Sequence, residues 1–192
     1  MPRRRWVEFS ASWLAWAQDN LLAAVRSTTP EHAHQRVGPH APSIAFHAWH
    51  MARWADKHQA ALPAWLAGRA IPGPAAEIWV RDGFAVRWGM ADLDTGDHGG
   101  TGVGLDDDVS AALPLPDVPE LLAYLEAAFG AFLEGIRAID DDEALDLEIV
   151  DHFDEASTIG DAIADATSHT DRHLGMIEAL RGVLGERGTV TV

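Results

Sequence analysis

The chain has 192 residues, enough for one domain with a substantial core, and it contains no cysteine, which excludes disulfides, thiolate metal ligands and a cysteine nucleophile. With 30 acidic residues against 14 basic ones, the formal net charge is −16, the opposite of what a nucleic-acid-binding protein normally carries. The amino terminus has no continuous apolar segment, and no stretch is long enough to span a membrane. We therefore expect residues 1–192 to form a single cytoplasmic domain that binds neither nucleic acid nor a membrane.

The first predicted helix covers about Arg5 to Arg26 and carries an aromatic stripe. Its four rings step by three, four and three residues along the chain: Trp6, Phe9, Trp13 and Trp16. This spacing keeps them on one face of a helix, and such a stripe predicts the seam along which the helix packs against others. The loop that follows contains three histidines that we expect to be solvated, since nothing in their spacing fixes a geometry: His32, His34 and His40.

The second predicted helix begins after Ser43, a suitable N-cap. Its stripe consists of Ile44, His47, Met51, Trp54, His58, Leu62 and Trp65. Pro63 lies inside this pattern and lacks the backbone N–H that a helix interior needs, so we expect a kink or an early end there. Gly68 and the Pro-Gly-Pro cluster at 72–74 then end the helix.

A long irregular crossover follows the second helix. Residues 77–90 predict one or two short helices, and residues 92–108 are polar and rich in glycine. The glycines resemble a phosphate-binding loop only superficially, because no Gly-Lys-Ser/Thr follows them and no strand precedes them. We interpret residues 92–108 as a loop.

The third predicted helix runs from about Val118 to Ile139 and has an unbroken heptad stripe. Residues 145–153 alternate between apolar and acidic side chains, which favours an extended segment. The fourth helix is predicted from about Asp154 to Leu184, and Gly185 ends it. Four long helices with a crossover between the second and the third are typical of an all-α four-helix bundle.

Two histidine pairs lie within these helices. His169 and His173 are one turn apart in the fourth helix, and His47 and His50 lie in the second. Imidazoles that converge from two helices into a bundle interior can build a metal site. His47 and His50 are about 60° apart on a helical wheel, so spacing alone allows either of them as the ligand from the second helix. The alternative is that each is an ordinary core or surface histidine satisfied by a hydrogen bond.

Three segments, in this order along the chain, resemble the DinB/YfiT-like superfamily of metal-binding four-helix bundles. They are Ile-Ala-Phe-His-Ala-Trp-His-Met-Ala-Arg at 44–53, the segment from Ile78-Trp79 to Trp88-Gly89, and His-Thr-Asp-Arg-His-Leu-Gly-Met-Ile at 169–177. Matched position by position, the resemblance implies that the metal ligands are His50, His169 and His173. It places His47 beside them, as a residue that supports a ligand or faces the substrate.

Two carboxylates near the fourth-helix pair are candidates for orienting the imidazoles, Asp171 and Asp165. The simpler interpretation of both is a solvated charge on the helix surface. Three neutral imidazoles would hold a divalent ion and leave at least one coordination position open. Imidazole suits zinc, nickel and iron, so the ligand type does not identify the metal.

The resemblance implies a metal-dependent enzyme that acts on a small molecule. Relatives include thiol-dependent S-transferases and a mycothiol-dependent maleylpyruvate isomerase, which implies an S-transferase or isomerase that uses a low-molecular-weight thiol. That thiol would be external, because this chain has no cysteine. The alternatives are a metal-dependent hydrolase and a metal- or ligand-binding bundle without turnover. The chain contains 8 tryptophans, which is compatible with a homodimer interface, although an aromatic core is the simpler explanation.

Overall fold

The structure, a computed structural model, describes residues 3–190. Within that range, four long helices form the predicted bundle: α1 (Arg5–Ser27), α3 (Ile44–Leu66), α8 (Val118–Arg137) and α9 (Ile159–Val183). Short α-helices lie between them: α2 (Pro30–Ala33), α4 (Ile78–Arg81), α5 (Phe84–Arg87), α6 (Asp97–Gly100) and α7 (Asp107–Ala111). Two 3₁₀ turns (Pro74–Ala76 and Asp142–Asp146) and a hairpin of β1 (Glu148–Val150) and β2 (Ala156–Thr158) complete them. None of the helices in this range is long and apolar enough to cross a membrane.

The four long helices form a ring of neighbours. α3 packs on α8 and α9, and α1 packs on the same two helices from the other side. α1 and α3 therefore occupy diagonal corners of the bundle. The predicted stripes of α3, α8 and α9 meet in the core, where their large side chains are buried: Met51, Trp54, Leu62, Leu125, Phe129, Phe132, Ile163 and Ile177.

The predicted seam of α1 is wrong. Trp6, Phe9, Trp13 and Trp16 are all exposed, and α1 buries the opposite face, which includes Val7, Ala11, Leu14, Ala17 and Leu21. Both faces of the helix are apolar, so periodicity alone does not decide between them. The small side chains of Ala11 and Ala17 allow α1 to approach its neighbours closely, which a row of indole rings would prevent.

The predicted start of α9 also changes. α9 begins at Ile159 rather than near Asp154, because residues 156–158 pair with β1 and Thr158 caps the helix by accepting a hydrogen bond from the Asp161 N–H. Of the extended segment expected at 145–153, only residues 148–150 form a strand, β1, and residues 145 and 146 belong to a 3₁₀ turn. α3 continues through Pro63, which is exposed, and ends at Leu66, so the helix does not stop at the proline.

The crossover between α3 and α8 is irregular, as predicted. α4 and α5 are the short helices expected within 77–90. Residues 92–108 form a loop that contains one distorted turn, α6, and the start of α7. The turn is distorted because His98, Gly99 and Gly100 all have positive φ angles, of 51°, 71° and 82°.

Candidate metal centre

α3 positions two of the histidines. The hydroxyl of Ser43 accepts a hydrogen bond from the Phe46 N–H and so fixes the first turn, just before His47 and His50. Steps of three residues place His47, His50 and Arg53 along the same side of the helix. All three side chains are buried.

α9 brings the other two histidines against them. His169 and His173 are one turn apart, and α9 lies directly beside α3. One ligand atom from each of His50, His169 and His173 lies within 4.8 Å of the other two. The Nε2 atoms of His50 and His169 are 3.2 Å apart. Two nitrogens bound tetrahedrally at the usual zinc distance would be separated by about 3.3 Å, so this pair already has the spacing of metal ligands.

A backbone carbonyl orients His50. Its Nδ1–H donates to the carbonyl oxygen of Thr101 at 2.6 Å. The ring is neutral, so its remaining lone pair is on Nε2, the atom that faces His169. Metal-binding histidines usually use one ring nitrogen in this way to fix the tautomer and the orientation of the other.

Arg53 holds the loop that carries this carbonyl. Its guanidinium donates to the carbonyl oxygens of Gly99 and Gly100, each at 2.9 Å. Three consecutive carbonyls, at 99, 100 and 101, therefore point toward α3. The left-handed backbone at Gly99 and Gly100 produces this arrangement, and glycine adopts it without steric cost. The glycine-rich sequence serves close backbone approach to α3.

Arg53 belongs to a buried ionic network. It donates to Glu77 at 2.7 Å and to the Tyr124 hydroxyl at 3.2 Å. The Asp56 carboxylate accepts from the same hydroxyl and from the backbone N–H groups of Ile78 and Trp79, each at 2.8 Å. This network fastens both ends of the segment 77–100 to α3, so the position of the Thr101 carbonyl depends on it.

His47 contacts the centre from its edge. Its Nδ1 lies 2.9 Å from Nδ1 of His173, and the two atoms share a hydrogen bond. When His173 presents Nε2 to a metal, its Nδ1–H donates to His47. The geometry thus places His50 among the candidate ligands and His47 behind His173.

Burial keeps the imidazoles of the cluster in the neutral form, which is the form that can bind a cation. Burial lowers the pKa of His47 to about 4, of His169 to about 3 and of His173 to about 2, with a further contribution from the neighbouring His50 in each case. Burial also lowers the pKa of His50, against the effect of its hydrogen bond to Thr101. All four rings are therefore neutral at neutral pH and keep lone pairs available for a metal.

Within residues 3–190, the other predicted residues make no hydrogen bond to the cluster. Asp171 is partly buried, burial raises its pKa, and its Oδ1 has no hydrogen-bond partner within residues 3–190. No contact of Asp171 therefore supports an orienting role, and Asp165 is exposed. Between α1 and α3, His32 lies in α2 and contacts Glu186, and His40 lies in the following loop and contacts Asp107.

A second group of imidazoles surrounds Trp54 and consists of His58, His98 and His152. Trp54 lies between the two groups, with its ring centre 6.1 Å from that of His169 and 6.0 Å from that of His152. Together with His58 and His152 it lines a cavity of about 260 Å³. A larger cavity, of about 1090 Å³, lies between residues 68–71 and the β hairpin and does not include the three candidate ligands.

Sequence reasoning missed Arg53 and the Thr101 carbonyl. A signal for Arg53 was present, because an arginine three residues after His50 on an apolar helix face needs buried partners. The sequence contains no such signal for the Thr101 carbonyl, since every residue has a backbone carbonyl. Only the run of glycines around it indicated an unusual backbone.

Comparison with known proteins supports the fold. The family model of the DinB superfamily matches residues 14–177. A crystal structure of the conserved protein of locus from Enterococcus faecalis superposes with a TM-score of 0.73, is 19% identical, and covers 97% of this chain and 99% of that chain. At that identity the likeness concerns the fold alone. A comparison with curated proteins gives no match.

Proposed function

Because the chain belongs to the DinB superfamily, we propose that it is a divalent-metal-dependent enzyme whose ion is held by His50, His169 and His173. The convergence of these three imidazoles from α3 and α9 carries the proposal. The lowered pKa values support it, because protons do not compete for these nitrogens at neutral pH. Zinc, nickel and iron are the metals that we propose, since each is suited to imidazole.

A divalent ion bound by three imidazoles supplies Lewis acidity and an open coordination position for a small ligand. The protein residues around it provide orientation and shelter. Thr101 fixes the ring of His50 through its carbonyl, and His47 fixes that of His173. The ring of Phe46 lies nearly parallel to that of His50, with 6.1 Å between the ring centres, and both side chains are buried.

We further propose that the open position receives the thiolate of an external low-molecular-weight thiol, and that the reaction is an S-transfer or an isomerisation of a small electrophile. Since the chain contains no cysteine, this thiol has to be external. Such thiols are kept reduced in the cytoplasm, which is the compartment that we propose.

Metal analysis of protein purified without a histidine tag tests the ligand set. Replacement of His50, His169 or His173 by Ala should sharply reduce the metal content while circular dichroism stays helical. The matched control is His34→Ala, because His34 is exposed in the loop after α2. Stoichiometric metal in the His169→Ala/His173→Ala double variant would exclude this site.

Cobalt substitution tests the thiol. Mycothiol, bacillithiol or glutathione at millimolar concentration should shift the d–d bands of the cobalt protein, and His34→Ala should show the same shift. Bands that do not change with any of these thiols would remove the transferase and isomerase assignments and favour a hydrolase. A shift without turnover of electrophilic substrates would instead indicate a binding protein.

A further inference from the structure

The exposed face of α1 carries a continuous aromatic stripe. Trp6 is 56% exposed, Phe9 54%, Trp13 43% and Trp16 54%. The first three rings are neighbours, with centres 6.1 Å apart for Trp6 and Phe9 and 6.0 Å for Phe9 and Trp13, and Trp16 follows three residues after Trp13. Soluble proteins rarely leave contiguous rings of this size in water without a binding role.

The bundle itself does not use this stripe. α1 packs on α8 and α9 through its other face, which includes Val7, Leu14 and Leu21. The amino end of the helix is fixed independently, because Asp142 accepts hydrogen bonds from the Trp6 and Val7 N–H groups. The position of the four rings at the surface is therefore fixed by the buried face and the amino end of α1, and not by contacts of the rings themselves.

We propose that the stripe binds a second copy of this chain, with the two α1 helices antiparallel about a two-fold axis near Ala11. The spacing of three, four and three residues reads the same from either end. An antiparallel copy therefore pairs Trp6 with Trp16 and Phe9 with Trp13, and then repeats both pairs by symmetry. An interface of this isologous kind needs one self-complementary patch, which this stripe is.

The charges beside the stripe fit the same arrangement. A chain with a net charge of −16 repels its own copies, so a dimer needs a contact face without acidic residues at its centre. Only uncharged residues separate Phe9 from Trp16. Arg5 and Asp19 lie on the same side of the stripe near its two ends, and both are exposed. The two-fold axis brings Arg5 of one copy to within about 3 Å, along the helix axis, of Asp19 of the other.

The area is sufficient for a modest dimer. An aromatic side chain can bury 150–250 Å², so four half-exposed rings contribute about 400 Å² from each copy. Both copies together reach about 800 Å² before flanking residues are counted, and specific interfaces begin at about 1,000 Å². We therefore expect a dimer that dissociates on dilution in the micromolar range. This proposal is independent of the metal centre.

Sedimentation equilibrium of the full chain tests the interface. The wild type should be dimeric, and Phe9→Glu or Trp13→Glu should raise the dissociation constant at least about a hundred-fold, because each dimer loses two central rings. The control is Val86→Glu on α5, a residue that is 73% exposed, which should leave the dimer unchanged. All four proteins should keep the same circular dichroism, since the substituted side chains lie at the surface.

A charge exchange tests the orientation. Arg5→Glu and Asp19→Arg should each weaken the dimer, and the double variant should restore it, because each dimer then regains both opposite-charge contacts. A wild type that stays monomeric at high concentration, or a dimer that survives Phe9→Glu and Trp13→Glu, would overturn the proposal. Binding of a monomeric wild type to phosphatidylserine-containing vesicles would assign the stripe to a membrane surface instead and would also overturn it.

Discussion

α1 and α3 each contain 23 residues and carry aromatic rings at helical spacing, but they place those rings in opposite environments. Trp49 and Trp54 of α3 are buried, whereas Trp13 and Trp16 of α1 are exposed. The two helices stand at diagonal corners of one bundle and pack on the same neighbours, α8 and α9. The neighbours therefore do not explain the difference.

The crossover explains it. Residues 77–101 lie against the outer side of α3 and are fastened there by Arg53 and Asp56, so the first half of α3, residues 44–56, is covered on all sides. α1 has no such cover within the described part of the chain. A helix can thus use aromatic residues on its outer side only if another segment, or another molecule, packs over them.

The largest loss of stability is expected when the contacts that hold residues 77–101 against α3 are removed. Arg53→Met removes five hydrogen-bonded contacts and leaves the buried Glu77 carboxylate without its guanidinium, which should lower the free energy of unfolding by about 3–5 kcal/mol in urea titrations. Metal affinity should fall about 10- to 100-fold, because the Thr101 carbonyl no longer fixes His50. Arg26→Met on α1 is the control, since the exposed pair of Arg26 with Glu126 contributes less than about 1 kcal/mol. Unchanged metal affinity in Arg53→Met would show that the loop holds His50 without the arginine.

His47 should matter less than the ligand behind which it lies. His47→Ala should bind metal about 10- to 100-fold more weakly than the wild type, because His173 loses its hydrogen-bond partner, whereas His50→Ala should lose nearly all metal. Competition with a chelator of known affinity measures both. If His47→Ala abolishes binding and His50→Ala does not, the ligand assignment within α3 is reversed.

The second group of imidazoles should make the bundle sensitive to acid. Burial, together with the charge of His58, lowers the pKa of His152 from 6.5 to about 2. The unfolded chain therefore takes up a proton below about pH 6.5 that the folded protein refuses, so stability is lost as the pH falls. Between about pH 7.5 and about pH 5.5 this one residue should account for about 1.4 kcal/mol.

Urea titrations of metal-free protein at the two pH values measure this loss. His152→Phe should reduce it by that amount, and His34→Phe, in the exposed loop, should not. Equal losses in the wild type and His152→Phe would contradict the assignment.

The smallest effect is expected on the stripe of α1. At concentrations where the protein is monomeric, Trp16→Ser should change the free energy of unfolding by no more than about 1 kcal/mol. Trp49→Ala, which empties a fully buried position on α3, should cost about 3–5 kcal/mol by the same measurement. Similar losses for the two tryptophans would mean that α1 contributes its rings to the core.

Much of the fold was predictable because three helices carry a single apolar face. The heptad stripe of α8 and the seams of α3 and α9 are where periodicity placed them. α1 has two apolar faces, so the prediction of which face is buried was wrong. The start of α9 shifted because Thr158 pairs within a hairpin, a contact that local propensity does not report.

The candidate site was predictable to the extent that it is made of side chains on helices. Helical spacing indicated His169 and His173 as candidate metal ligands, and the resemblance favoured His50 over His47. Arg53 acts through the backbone of a distant loop, and the Thr101 carbonyl has no chemical signature in the sequence. Such contacts emerge only from the folded chain.

The order in which the centre can be completed follows from its long-range contacts. The contacts of His50 with Thr101 and His169 form only after these residues have been synthesised, 51 and 119 residues later in the chain. At a synthesis rate of about 5–20 residues per second, the imidazoles of α3 leave the ribosome about 6–24 s before those of α9. Nascent chains therefore expose half of the proposed metal site for many seconds. In the proposed enzyme, high-affinity binding would begin only when the last long helix has emerged, so acquisition of the ion would mark the completion of the whole bundle.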